Sequence, residues 1–289
     1  MFFKYIFIIF FLDTVAHAQS SRVEITIETD VYNYAQELLA GTTPLEINNF
    51  SGKHVQRDVV EFILVQKALA LGGAKLEFSF TTGNYDARNS KLLQDGLLLI
   101  NFDTMWLSHA KTLSNDVYIS DAVIRKGEYL AGIYTSLANK DKILIDSLSD
   151  FQKLSVISNK NWPVDWYTIE QLQPKSLAHE EEWLSMAKLV SMGWVDVMLA
   201  PFTREEPYNY QSNDYHITAI EGVKIALNDS RHFVVSKNHP QGKMVFQALQ
   251  KGLKTLRAQG VIEKAYRQSG FITEKVTHWQ TINETLLHN

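Results

Sequence analysis

The nine histidines of this chain show no His-x-His, His-x3-His or His-Glu-x-x-His spacing. No pair of imidazoles is therefore placed on one helix face or strand, the usual start of a metal site. Gly72-Gly73-Ala74-Lys75 lacks the spacing of a phosphate loop and lies between a helix and a strand in the reverse order. No Gly-x-Ser-x-Gly nucleophile turn occurs. Cysteine is absent altogether, which removes thiol chemistry and disulfides. What remains is a set suited to recognition rather than reaction: Tyr32, Asp103, Trp106, Trp162, Asp165 and Phe202. Aromatic faces and carboxylates together attract cations, each cation–π contact contributing about 0.5–2 kcal/mol. Neither a cofactor nor a metal is expected.

These six residues are singled out by the elements that carry them. Val23 to Glu28 alternates apolar and polar residues, the period of a strand. A loop-rich stretch follows, with Gly41, Pro44, Asn48 and Asn49. From 57 to 71, Val59, Val60, Ile63, Leu64, Ala68 and Leu71 recur at helical spacing, and Gly72-Gly73 stops the helix. Leu76 to Phe80 reads as a strand, 89–95 as a short helix ending before Gly96, and Leu97 to Ile100 as a fully apolar strand. This β-α-β-α-β order argues for a mostly parallel sheet. The second unit repeats the rhythm. Leu130 to Tyr134, Leu154 to Ser158 and Val195 to Ala200 read as strands. Helices are expected from about Val164, with Pro163 in the first turn, and over 181–192, with Trp183, Leu184, Met186, Ala187 and Val190 facing inward. His232 to Ser236 is again a strand. It is followed by an amphipathic helix through Met244, Val245, Ala248, Leu249, Gly252, Leu253 and Leu256, a break at Gly260 and a last short helix to Gln268. The polar residues after about 275 read as a loosely packed tail. In open α/β sheets ligands bind beyond the carboxyl ends of strands. That rule selects the loops holding Asp30 to Tyr32, Thr82 to Arg88, Asn101 to Trp106, Asn159 to Asp165, and Pro201-Phe202.

The amino terminus reads as a cleaved signal peptide over 1–18. Lys4 is its positive end, Tyr5 to Leu12 its apolar core and Ala16-His17-Ala18 its small-x-small cleavage site. That core of about eight residues falls well short of the roughly 20 that span a bilayer. Without disulfides, a secreted chain is held by its core alone. One of this size buries roughly 70–75% of its unfolded surface. The net charge of -4 is mixed along the chain and gives no nucleic-acid footprint or polybasic membrane patch.

The carboxyl-terminal stretch Phe246-Gln-Ala-Leu-Gln-Lys-Gly-Leu-Lys-Thr-Leu-Arg-Ala-Gln-Gly-Val-Ile-Glu-Lys-Ala-Tyr-Arg-Gln-Ser-Gly-Phe271 resembles the end of the extracellular solute-binding protein family 3, the amino-acid-type periplasmic binding proteins of type II fold. Leu189-Val-Ser-Met-Gly-Trp-Val-Asp-Val-Met-Leu199 is similar to the family's helix-Gly-x-x-Asp-strand unit, and Tyr118-Ile-Ser-Asp-Ala-Val-Ile to its passage between lobes. The resemblance spans roughly 23–271. It implies a two-lobe α/β fold, each lobe a mostly parallel sheet flanked by helices. Lobe one would be 19–122 plus 224–289, and lobe two 123–223, inserted, with two chain crossings as the hinge. Such proteins shut around a ligand through contacts made only in the closed form.

The family's residues are not all here. Amino-acid binders carry an Arg after strand three for the ligand carboxylate, where this chain has Asp103-Thr-Met-Trp106. They carry an Asp after the Gly-x-x-Asp strand for the ammonium, where this chain has Pro201. An aromatic and acidic cleft suits a cation or a planar, partly apolar molecule. Each residue also has a structural reading. Trp106 and Trp162 suit the edges of cores, Asp165 suits the first turn of a helix, and Asp103 suits a loop-stabilising carboxylate. Arg57 and Asp58 open a helix and read as surface. Trp166, Trp183 and Trp194 read as core, and Asp196 as structural. Three functions follow in order of preference. The first is a monomeric periplasmic protein that captures a small polar or cationic molecule for an inner-membrane ABC permease. The second is an adaptor presenting ligand occupancy to a membrane sensor. The third is a periplasmic enzyme of the dehydratase kind.

Overall fold

A computed structural model describes residues 21–203 and 206–288 of the chain; the expected signal peptide lies outside them. β1 (Ser21–Glu28) and β2 (Leu76–Gly83) pair in parallel along their whole length. Between them run α1 (Thr29–Leu39) and α2 (Arg57–Gly72). α1 occupies the stretch just after the first strand that its turn-forming residues mark as loop. Its signal is Val31, Ala35 and Leu39, buried at four-residue intervals on one face. Tyr32 is therefore a helical residue. α3 (Asp86–Gln94) follows β2. The expected strand at Leu97 to Ile100 is reduced to a single bridge from Ile100 to Val235. Its amides are otherwise committed: those of Leu97 and Leu98 both bond back to Leu92 O and cap α3, with Gly96 at φ 71° turning the chain. The segment β3 (Met105–Trp106), α4 (Leu107–Thr112) and β4 (Val117–Ile119) completes this part of the lobe.

The second lobe contains β5 (Leu130–Ser136), α5 (Leu148–Phe151), β6 (Ser155–Ser158), α6 (Pro163–Leu172) and β7 (Ser176–His179). It continues through α7 (Trp183–Ser191), β8 (Val197–Pro201), β9 (Asn209–Gln211) and β10 (His216–Ala226). The chain then returns through β11 (Arg231–His232), β12 (Val234–Ser236), α8 (Gly242–Ala258) and α9 (Val261–Gln268). β11 pairs antiparallel with β3, and β12 with β4. The second lobe's sheet is mixed. β7, β6 and β8 run parallel, as strand-helix-strand units do. β5 is antiparallel to both β8 and β10. β5 brings the chain into the lobe and β10 takes it out, so they run in opposite directions.

Two sets of buried apolar residues mark the lobes. One draws on residues 23–124 and 233–266. The other lies within 131–225 and adds Val276 and Ile282 from the tail. Beyond the crossings at 125–129 and 227–230, the tail therefore makes a third. β13 (Gln280–Thr281) adds to β10 in parallel. Lys224 Nζ donates to Val276 O at 2.6 Å and Thr277 O at 3.0 Å. Asn283 brackets Ala226, accepting from its amide at 3.0 Å and donating to its carbonyl at 2.7 Å. The tail is polar by composition, yet it docks: Val276 and Ile282 are buried in the second lobe's core, and the buried Lys224 of β10 holds its carbonyls.

The first lobe is built most tightly where α2 crosses α8. A Cβ on Gly72 would lie 1.9 Å from Ala248 O, and one on Gly252 would lie 1.8 Å from Ala68 O. The two backbones touch, and only glycine permits it. This contact fixes the helix whose first turn carries Arg57 and Asp58.

Candidate functional site

Arg57, expected at the surface, turns inward. Its Nη1 donates to Glu61 Oε2 at 2.6 Å and to Asp103 Oδ1 at 2.7 Å. Glu61 stands one helical turn further along α2, so both side chains share a face. It is fully buried and accepts three further hydrogen bonds, from Thr104 N at 2.9 Å, Thr104 Oγ1 at 2.7 Å and Tyr266 Oη at 3.2 Å. Arg231 reaches the same place from β11. Its Nε donates to Thr104 Oγ1 at 2.8 Å, its Nη2 to Thr104 O, and it lies 3.7 Å from Asp103 Oδ1. Because β11 pairs with β3, Arg231 sits opposite Trp106, and its guanidinium stacks over that ring at 4.7 Å. Trp106 in turn meets Tyr129 at 5.3 Å, and Tyr129 meets Phe271 at 4.9 Å.

The electrostatics follow from burial in opposed pairs. Burial pushes the Asp103 carboxyl up, but Arg57 and Arg231, with the hydrogen bond from Arg57, outweigh it and hold it well below the usual carboxylate range. For Glu61 burial wins over Arg57, and its carboxyl is raised. Burial also raises Asp58 against the pull of Arg57, and the negative charges of Asp103 and Asp30 add to the rise. Asp103 remains reachable, its side chain 38% exposed.

Asp103 lies on the wall of a pocket of about 270 Å³ in the first lobe, shared with Glu28, Asp30, Arg57, Asp58 and Asn101. A chain of polar groups backs it. Thr26 Oγ1 donates to Asn89 Oδ1 at 2.6 Å, and Asn89 Nδ2 donates to Asn101 Oδ1 at 3.1 Å.

From the other lobe comes Asp165, in the first turn of α6. Burial raises its carboxyl to about 6, while its own backbone amide and Arg231 pull the other way. Arg231 belongs to the first lobe, so this attraction acts across the gap. Tyr129, on the crossing before β5, senses both sides. Burial raises its hydroxyl, Arg57 and Arg231 lower it, and Asp165 and Glu61 raise it. Tyr210 lies near enough to Tyr129 to add to its own burial-driven rise. Its ring packs on Tyr134 at 5.2 Å and Trp183 at 5.1 Å.

Of the six residues picked out in the sequence, the structure brings Asp103 and Trp106 against Arg231, and Asp165 feels the charge of Arg231. Trp162 caps α6 and packs against the second lobe's core. Tyr32 lies between Phe62 and Phe80, at 6.5 and 5.5 Å. Phe202 packs on Tyr208 and Trp279, at 5.3 and 5.4 Å. Neither Tyr32 nor Phe202 joins the Arg231 group. Trp194, read as core, is 73% exposed, since the turn at Gly193 carries it off the helix face. Leu184, expected inward, is exposed as well. Asp196 has a structural place: its carboxylate accepts from Ser155 N at 2.8 Å and Ser155 Oγ at 2.7 Å, tying β6 to β8. Arg57, Glu61, Arg231, Tyr129 and Tyr210 are the groups that sequence reasoning passed over. The available signal was Glu61 itself, a charge inside an otherwise apolar run and four residues from an arginine.

No protein-family model matches the chain, and no curated protein matches it. Solved structures do. The probable amino-acid ABC transporter extracellular-binding protein of Bacillus subtilis is similar over 86% of this chain and 97% of its own, with 15% identity and a TM-score of 0.56. An ancestral cationic amino acid solute-binding protein matches over 87% and 96%, with 17% identity and a TM-score of 0.52. Substrate-binding domain 2 of GlnP from Lactococcus lactis, in an open conformation, matches over 86% and 94%, with 13% identity and a TM-score of 0.52. At such identities the likeness is one of fold.

Proposed function

On the two-lobed type II fold of the periplasmic solute-binding proteins, which this chain has, we propose that it is itself a solute-binding protein. It captures a small polar or cationic molecule between its lobes and releases it unchanged to an ABC transporter. What supports this reading is that groups assigned to the two lobes lie near enough for their charges to act on one another. Arg231, Trp106 and Asp103 come from the first lobe, Asp165 and Tyr210 from the second, and Tyr129 stands on the crossing between them. A molecule held there touches both lobes only when they are together, so its binding energy favours closure. The similar structures, a probable amino-acid ABC transporter binding protein and a cationic amino acid binding protein, support the same role. So does the signal-like amino terminus, which fits secretion to the periplasm. Among the described residues no helix is long and apolar enough to cross a membrane.

A thermal-shift screen tests the proposal, with amino acids, polyamines, quaternary amines, nucleosides and organic acids as probes. A bound solute raises the melting temperature by mass action, by about 2.7 kcal/mol of stability at a hundred times Kd. The expected outcome is a concentration-dependent shift with one class and its loss in Trp106→Ala. Absence of a shift with every class argues against solute capture.

A further inference from the structure

Charge balance at the first lobe's wall narrows the ligand. Arg57 and Arg231 are the two guanidinium groups available there, and Asp103 lies against both, at 2.7 and 3.7 Å. Glu61 takes a second bond from Arg57. Each arginine is therefore matched by a carboxylate of the protein's own. The pocket beside them is lined by four carboxylates, Glu28, Asp30, Asp58 and Asp103, against the single guanidinium of Arg57. Asp30 and Asp58 each use one oxygen to accept a neighbouring backbone amide at 2.8 Å. Their other oxygens have no hydrogen-bond donor among the described residues. Asn101 gives an independent indication that the pocket takes a ligand. Its side chain lines the pocket and is only 9% exposed. Its Oδ1 is bonded to Asn89, while its other amide group has no partner among the described residues.

We infer that the ligand is an organic cation lacking a free carboxylate, an amine or amidine, because Asp103 fills from within the place on the two arginines that a ligand carboxylate would take. The inference rests on the solute-binding reading and specifies its ligand. The cationic group enters the carboxylate-lined pocket under Arg57. Asp165 faces the ligand from the second lobe, adding a carboxylate that only a closed protein presents. Asn101 serves a neutral acceptor on the ligand, such as a hydroxyl or amide oxygen. A ligand carboxylate would add a fifth negative charge to the pocket, with no guanidinium left unmatched. A metal ion is not the cation meant: among the described residues no three His, Asp or Glu side chains come together as metal ligands.

Matched pairs test this directly: agmatine with arginine, cadaverine with lysine, and histamine with histidine. Each pair shares a cationic side group and differs in the carboxylate. Isothermal titration on the intact protein is expected to show, in at least one pair, the amine bound more than about tenfold tighter than its amino acid. Equal or tighter binding of the amino acid in every pair that binds overturns the inference, and so does failure of all six compounds. The solute-binding reading falls separately, only if the wider thermal-shift screen is also blank. Asp103→Asn releases both arginines, and the preference should move towards the amino acid by more than tenfold. Asp58→Asn leaves the arginine contacts in place and should weaken amine binding alone. It carries the test if Asp103→Asn fails to fold, and an unchanged amine affinity in Asp58→Asn counts against the pocket.

Discussion

The two walls of the cleft are built on opposite principles. The first lobe's wall is a closed network. Arg57, Glu61, Asp103, Thr104 and Arg231 satisfy one another within hydrogen-bond distance, on a helix clamped to its neighbour by glycine contacts. The second lobe contributes Asp165, a carboxylate raised by burial that forms no ion pair within 4.0 Å among the described residues, and a patch of stacked aromatic rings around Tyr210. The difference teaches a division of labour. On the solute-binding reading proposed above, a charge-paired wall would select by shape and charge, and a wall with an unmet carboxylate would hold its interaction in reserve until the lobes meet.

The comparison breaks most severely at Glu61. Glu61→Ala removes one member of a buried pair and leaves Arg57 with Asp103 alone, and should destabilise the protein by about 3–5 kcal/mol. Glu61→Gln keeps an acceptor and should cost less. Urea unfolding monitored by tryptophan fluorescence gives both values. A loss below 1 kcal/mol for the alanine variant would show that the network is not what holds the wall. Gly252→Ala comes next. Its Cβ would meet Ala68 O at 1.8 Å, and an overpacked contact of this kind costs about 1–3 kcal/mol or more. The same change at Gly260, where a Cβ would meet nothing within 4 Å, removes no close approach and isolates backbone conformation as the remaining cost. Trp106→Ala should weaken ligand binding by about 0.5–2 kcal/mol through the lost ring face, with the fold intact by circular dichroism.

The smallest effect sharpens the comparison from the other side. Burial lifts Asp165 from 3.8 in the unfolded chain to about 6. Between those values the folded protein binds more protons than the unfolded one, so this group makes stability fall as pH rises from about 4 to 6. Below 4 the carboxyl is neutral in both states and the penalty vanishes. Asp165→Asn should therefore raise the melting temperature at pH 8 and leave it nearly unchanged at pH 3.5. Equal shifts at both values would mean that Asp165 is not held in a desolvated place.

Local pattern was enough for most elements. Pro163 starts α6, Gly260 separates α8 from α9, and the strand at β6 follows its apolar run. It misled where one residue served two structures. Leu97 and Leu98 have a strand's composition, but their amides close the helix before them. The turn-forming residues after position 40 hid α1. The tail's polarity concealed its docking on β10, because a buried lysine bonded to carbonyls looks the same in a sequence as an exposed one. In the candidate site, Asp103, Trp106 and Asp165 were picked out because they follow apolar runs or start a helix, where α/β sheets bind ligands. Arg57 and Arg231 were not, since neither lies in such a loop.

Alternation, helical period and turn residues establish two α/β units and their order from sequence alone, because these are short-range preferences of neighbouring residues. Which charges pair is another matter. Arg57 meets an Asp 46 residues further along, and Arg231 meets Thr104 across 127 residues. Only the packing of α2 on α8 and of β11 on β3 brings those groups within 3 Å. An ion pair's strength depends on separation and burial, and the folded backbone sets both.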